Sequence, residues 1–250
     1  MRVYAIGDIH GYLGELENAH ALIAADRARV GDARAAVVHI GDLCDRGPDT
    51  KGVIDFLLAG RDRGENWITL MGNHDRLFAW FLEDVPRHDP HLMIGWSYFH
   101  PGVGGIQTLA SYGIEIGERE RLSALHARAR DIIPETHRRF IQSLPTSHET
   151  DEHIFVHAGI RPGIPLAEQD EEDLVWIRHE FHNDPRDHGK LIVHGHTPID
   201  VVTHYGNRVN IDTGAGYGKP LVPVAIEGRN VFALTEIGRV PIPVSAAGIA

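Results

Sequence analysis

Cysteine is almost missing from this chain: Cys44 is the one thiol in 250 residues. A single thiol excludes an intramolecular disulfide and fits a reducing compartment. Long apolar runs are missing too. None reaches the ~18 residues that would cross a bilayer as a helix, so no membrane partner is expected. Basic side chains are scarce, 24 Lys and Arg against 35 Asp and Glu, for a formal net charge of −11. That balance creates no attractive field for a phosphate backbone, and nucleic acid is not expected as a partner. No internal repeat, low-complexity tract or signal-peptide pattern is present. The expectation is a cytoplasmic protein.

What the chain does have is a hydrophobic content of 42%, enough for one large core. Short apolar runs rich in Val and Ile fall at Arg2–Ile6, 35–40, 67–71, His153–Val156 and 191–193. Such runs suit strands of a sheet covered on both faces. Helical spacing of apolar residues over 13–29 and 50–63 separates the first three, which predicts parallel crossovers. From about 76 to 148 the strand signal gives way to helical patterns broken by Pro and Gly. That segment is expected to be an α-helical insertion capping the site. After Gly195 the chain reads as strands at 200–205, 208–212, 221–226 and 231–236, with a hairpin signal at Gly206-Asn207. One domain is expected over 1–238, followed by a Pro/Ala/Gly-rich surface tail over 239–250.

The chemistry sits where the apolar runs stop. The first three end in Gly7-Asp8-Ile9-His10-Gly11, Gly41-Asp42-Leu43-Cys44-Asp45-Arg46-Gly47 and Gly72-Asn73-His74-Asp75. In open α/β sheets, ligands bind just beyond the carboxyl ends of the strands. Asp8 and His10 are two apart, so in an extended turn both face the same way. Asp42 holds the equivalent place on the second run, where a carboxylate can bridge two ions about 3.5–4 Å apart. Asp45 is placed to orient an imidazole, and the planar fork of Arg46 suits a phosphate. Asn73 offers a neutral carbonyl oxygen, while His74, pointing the other way, suits a general acid. His157 and His196 close two later runs. Any one of these motifs alone also reads as a polar turn or a structural histidine. Five strand ends carrying metal-competent residues in one chain outweigh that reading.

Taken together, the motifs resemble the calcineurin-like metallophosphoesterases, in the phosphoprotein-phosphatase branch with bacterial, phage and eukaryotic Ser/Thr phosphatases. The resemblance runs from Asp8 to His196. Asn210-Ile211-Asp212-Thr213-Gly214-Ala215 and the Trp96, Gly104-Gly105 and Thr108-Leu109 pattern also resemble bacterial members. It implies a four-layer α/β/β/α sandwich of two mixed sheets with flanking helices and metals at one edge. By the same resemblance, Asp8, His10 and Asp42 hold one metal, and Asp42 bridges to a second held by Asn73, His157 and His196. His74 is then the general acid, oriented by Asp45. Arg46 and a second arginine bind the phosphate. Arg178, in Trp176-Ile177-Arg178, matches that second position better than Arg161, and His194 falls outside the ligand pattern. The implied cofactors are two divalent ions, Mn²⁺ first, with Fe, Zn or Co as alternatives. The implied reaction is direct attack of a metal-bridging hydroxide on a phosphomonoester, in a phosphoprotein, phosphopeptide or small phosphoester. Cys44 is not needed as a nucleophile.

Two positions depart from that branch. Met71 stands where several members carry a phosphate-contacting arginine, and Asp75 where protein phosphatases commonly carry Glu. Asp at the latter position also occurs in the bis(5′-nucleosyl)-tetraphosphatase relatives, whereas the intact Asp45-Arg46-Gly47 points back to the phosphatases. A dinucleoside polyphosphate hydrolase is therefore the alternative. A non-catalytic metal-binding scaffold ranks below both, since it need not retain His74 and Arg46.

Overall fold

Alternation along the strands sorts the apolar side chains into separate layers of core. The structure, a computed structural model, describes residues 2–245. Strand β1 (Arg2–Ile6) turns Val3 and Ala5 to one face and Tyr4 and Ile6 to the other, as the two-residue period of a strand requires. It pairs in parallel with β2 (Ala36–His39), which pairs in parallel with β3 (Trp67–Thr69). The crossovers are α1 (Leu13–Val30) and α2 (Thr50–Asp62). Helix α2 starts at Asp49, whose carboxylate accepts a hydrogen bond from Gly52 N at 2.8 Å and satisfies one of the free N–H groups of the first turn.

After β3 come α3 (Asn73–Phe81), α4 (Gly105–Ser111), α5 (Leu122–Ile132) and α6 (Glu135–Gln142). The segment expected to be helical is mixed: residues 82–104 carry no helix, and β4 (Ser147–Glu149) begins before its end. Ser-His-Glu has no apolar alternation, so nothing in the sequence marks it as a strand. Strand β5 (His153–Val156) leads through α7 (Glu171–Trp176) and α8 (His179–His182) to β6 (Leu191–His194). The hairpin of β7 (Thr203–His204) and β8 (Arg208–Asn210) closes with Tyr205 N donating to Arg208 O at 2.8 Å, around the Gly206-Asn207 signal. These strands form a five-stranded sheet ordered β4-β5-β6-β8-β7, parallel at its centre and antiparallel at both edges.

The chain then returns to the first sheet with β9 (Val224–Glu227), β10 (Asn230–Thr235) and β11 (Gly238–Ile242), giving the order β11-β10-β9-β1-β2-β3. Residues 239–242, expected as the start of a tail, are thus part of an edge strand. Arg239 explains their order: it donates to Asp26 on α1 at 2.7 Å and to Glu227 on β9 at 2.7 Å. Residues 246–250 of that expected tail lie outside the described residues.

Between the two sheets lie Val3, Ala5, Val38, Phe155, Val193 and Val209. The first six helices pack with Tyr4 and Ile6 on the outer face of the six-stranded sheet. Leu174 of α7 and Phe181 of α8 cover Ile154, Val156 and Ile192 on the outer face of the other. The result is a four-layer α/β/β/α sandwich with two mixed sheets and flanking helices. Among the described residues, no helix is long and apolar enough to cross a membrane.

Candidate metal centre

The loops that leave β1, β2 and β3 are sewn to one another. Ile9 N and His10 N both donate to Asp42 O, at 2.9 and 2.7 Å, and Gly11 N donates to Leu43 O at 2.8 Å. The Asp75 carboxylate accepts from Leu43 N, Cys44 N and Gly72 N at 2.9, 3.2 and 2.9 Å, which locks the second loop to the start of α3. Gly72 has to be glycine, because a Cβ there would lie 2.1 Å from Asp42 Oδ1. Across the sheets, Gly195 N donates to His157 O at 2.8 Å, and His196 N donates to the Asp8 carboxylate at 3.2 Å. Among the described residues, five non-glycines have positive φ: His10, Asp42, Asp45, Arg46 and His196. Each such backbone costs on the order of 1–3 kcal/mol and persists only where surrounding bonds over-determine it. All five lie in these loops.

The strain brings donor atoms together. His10, Asp42 and His74 form one group of mutually close donors, and Asp42, His157 and His196 form a second, so Asp42 belongs to both. Asp42 Oδ2 is 3.4 Å from His10 Nε2, and Oδ1 is 3.4 Å from His157 Nε2. Asn73 Oδ1 is 2.9 Å from both His157 Nε2 and His196 Nδ1. The far side of two rings is already committed: His10 Nδ1 faces Cys44 O at 2.8 Å and His157 Nδ1 faces Ile40 O at 3.1 Å. With Nδ1–H given to a carbonyl, each ring turns the Nε2 lone pair inward, the usual arrangement behind metal-bound imidazole. For His157 that lone pair meets two oxygens and no proton donor, a convergence that a cation relieves.

Electrostatics point the same way. Burial pushes the His10, His157 and His196 imidazoles below their ordinary pKa, so they are neutral and able to ligate. Burial, then the charges of Asp212 and Asp42, pushes Asp8 well above the carboxylate range. Asp212 is pushed up to about 6, by burial first and with Asp42 adding to it. Three buried carboxylates that repel one another make a site for positive charge. The residues present therefore fit two divalent ions. Asp212 has no place in the ligand pattern drawn from the sequence, although an acid followed by a glycine just past a strand is the signal that the other motifs carry.

Around the cluster, Arg46 donates to His10 Nε2 at 2.9 Å and to His74 Nε2 at 3.0 Å. His74 Nδ1 is 2.8 Å from Asp45 Oδ2, and the other Asp45 oxygen accepts from Tyr98 Oη at 2.9 Å and Thr108 Oγ1 at 2.7 Å. Arg178 Nε donates to His196 Nε2 at 3.0 Å, whereas Arg161 is held by Asp173 outside the site. His194 lies in neither donor group; its Nε2 accepts from Arg208 at 3.1 Å. Cys44 is buried, and burial followed by the Asp75 charge raises its thiol well above the ordinary value. A thiol kept protonated is no nucleophile.

A cavity of about 540 Å³ opens over the cluster, lined by Arg46 and Arg178 and walled by Trp96, Trp176, His91 and Tyr217. No sequence signal marks the aromatic walls, because they are gathered from separate parts of the chain, two loops, the end of α7 and a short turn. Met71 and Asp75, read there as substrate signals, do not line this cavity. Met71 borders a separate one with Arg76 and Trp80, and the Asp75 carboxylate is spent on backbone amides.

A two-sheet sandwich with a shared-carboxylate donor cluster at its strand ends defines a metal-dependent phosphoesterase. The chain belongs to the calcineurin-like phosphoesterase family, whose model matches residues 1–220. Among curated proteins it is 26% identical over 239 residues to the asymmetrical bis(5′-nucleosyl)-tetraphosphatase PrpE of Bacillus thuringiensis, covering 87% of each chain. The PrpE of Bacillus anthracis matches at the same identity and coverage. A solved structure described as a candidate diadenosine tetraphosphatase superposes with a TM-score of 0.59 at 20% identity, over 98% of this chain and 95% of its own. The cold-active protein-tyrosine phosphatase of a psychrophilic Shewanella superposes with a TM-score of 0.58 at 15% identity, over 97% and 80%. Those two likenesses establish the fold.

Proposed function

We propose that the chain hydrolyses dinucleoside polyphosphates, the reading ranked second on the sequence alone. What carries it is the alignment with asymmetrical bis(5′-nucleosyl)-tetraphosphatases over 87% of both chains. An open cavity with aromatic walls and two arginines supports the same substrate class. Asp8, His10 and Asp42 would hold one divalent ion, and Asp42, Asn73, His157 and His196 the other. Oxygen and imidazole donors without thiolate suit Mn²⁺, with Fe, Co or Zn as alternatives. When bound, such a pair polarises a phosphoryl oxygen and makes water reactive near neutral pH.

The side chains supply the rest. Arg46 and Arg178 grip phosphate oxygens through forked N–H groups and offset charge as it builds on them. Asp45 holds Nδ1 of His74, which leaves Nε2 to carry a proton to the departing oxygen. This commitment is why His74 is kept for proton transfer although it lies beside His10 and Asp42. Water adds to one phosphorus, the P–O–P bridge breaks, and the proton goes to the bridging oxygen. Asymmetric cleavage of a tetraphosphate leaves one phosphate on one nucleoside and three on the other.

The test is turnover of diadenosine tetraphosphate and of a phosphothreonine peptide by one chelator-stripped, Mn²⁺-loaded preparation. AMP and ATP from the dinucleotide, with little phosphate from the peptide, are expected. Phosphate from the peptide alone would return the chain to the protein phosphatases.

A further inference from the structure

Residues 91 and 176 come from different parts of the chain, one in the loop between α3 and α4 and the other at the end of α7. Their rings nevertheless stack, with centroids 5.3 Å apart and planes 12° from parallel. Both line the cavity that holds Arg46 and Arg178. The Trp176 ring also meets His196 edge-on at 5.7 Å. The stack therefore starts at the metal cluster and runs outward to His91, whose side chain is 39% exposed.

One fully buried carboxylate fixes both rings. Asp89 accepts from Trp176 Nε1 at 3.1 Å and from His91 N at 2.9 Å, and its Oδ1 is 3.2 Å from His91 Nδ1. Arg76, itself buried, donates to it at 2.8 Å and balances its charge. A loop histidine and an indole tied to one buried ion pair make a rigid, flat, aromatic surface. It stands beside the arginines placed to take phosphate.

We propose that the Trp176–His91 stack is the wall on which a nucleobase of the substrate packs, next to the phosphate held by Arg46 and Arg178. The proposal rests on the dinucleotide reading above and names the part of the site that recognises the nucleoside. A planar base stacks on such a surface without needing a specific hydrogen-bond pattern, so the wall tolerates different bases. Trp96, stacked on His100 at 3.7 Å, lines the same cavity and is the competing position.

The experiment compares AMP with ribose 5-phosphate, which share the sugar and phosphate and differ in the base. Calorimetric titration of the Mn²⁺-loaded chain is expected to show AMP binding roughly 5- to 150-fold tighter, the range that base–aromatic stacking supplies. In His91→Ala that ratio should fall toward one, and in Trp176→Ala as well. The exposed His91 keeps the test valid if the indole variant fails to fold. Equal binding of the two ligands by the unaltered chain would overturn the proposal. So would a ratio that survives His91→Ala but is lost in Trp96→Ala, which would move the base to the other wall. Turnover of diadenosine tetraphosphate is scored separately. An AMP preference in a chain that leaves the dinucleotide intact would uphold the wall and remove the proposed reaction.

Discussion

Asp45 and His74 are joined by a 2.8 Å contact between Oδ2 and Nδ1, and both side chains are buried. Tyr98 and Thr108 pin the other Asp45 oxygen, so the imidazole has one orientation, with Nε2 toward the cavity. Asp45→Asn should lower kcat by about 10²-fold on phenyl phosphate, the lower end of what proton transfer contributes. The loss should be smaller on p-nitrophenyl phosphate, whose leaving group needs little protonation. Steady-state rates on the two esters check this, and an equal loss on both would refute the acid role of His74.

Asp42 faces both donor groups with different oxygens. Asp42→Asn removes a charge shared by two ions, so both should weaken. Loss of an outer-shell partner alone costs about 10–100-fold in metal affinity, and a shared ligand should cost at least as much. Elemental analysis after dialysis should find both ions depleted. Full loss of one ion with retention of the other would show that Asp42 does not bridge.

Asp75 predicts stability, not specificity. Asp75→Ala would strip the acceptor from three buried backbone N–H groups, at about 1–3 kcal/mol for each one left unpaired. Denaturant unfolding should show a loss of about 3 kcal/mol or more. Asp75→Glu should change the ratio of rates on diadenosine tetraphosphate and phosphopeptide by less than about twofold, because specificity follows contacts in the cavity. A reversed preference would mean that the side chain reaches the substrate after all.

A histidine pair away from the cluster sets a pH response. His20 Nε2 and His39 Nε2 are 2.9 Å apart. Burial pushes His39 down to about 4, and burial followed by the neighbouring His39 pushes His20 down to about 2. Below pH ~6.5 the unfolded chain binds protons that the folded chain refuses, so stability falls as pH drops from about 6.5 toward 4. Each such imidazole contributes a slope of about 1.4 kcal/mol per pH unit in that window. His39→Asn should flatten the dependence between pH 6.5 and 5 by about one such slope, read by denaturant unfolding at each pH. An unchanged slope would assign the acid sensitivity to other groups.

The strand ends were legible because each joins two strong local signals, an apolar run and a glycine-flanked polar string. His10, Asp42, Asn73, His157 and His196 come together in space, while Asp8 lies outside both donor groups and is joined to them through His196 N. Arg178, found through its Trp-Ile-Arg context, does reach His196. What the sequence hid was made by tertiary contact. β4 carries no apolar pattern, β11 is held through Arg239, and the aromatic walls come from residues 91, 96, 176 and 217 in separate parts of the chain. The substrate reading is a sharper lesson. Met71 and Asp75 raised the dinucleotide alternative, yet neither touches the cavity; the alternative is now preferred for other reasons.

The pairing of β1 with β9 ties Arg2 to Glu227, 225 positions further along. Half of the six-stranded sheet, β9 to β11, is made from residues 224–242, far along the chain from β1, β2 and β3. With β1, β2 and β3 and their helices in place, one edge of β1 stays unpaired until β9 joins it. Contacts this distant in sequence make for slow folding. The donors are spread the same way: the donor groups draw on both sheets, so they are complete only once the two sheets have come together. An ion that needs donors from both sheets stabilises the assembled sandwich, not the early steps of its folding.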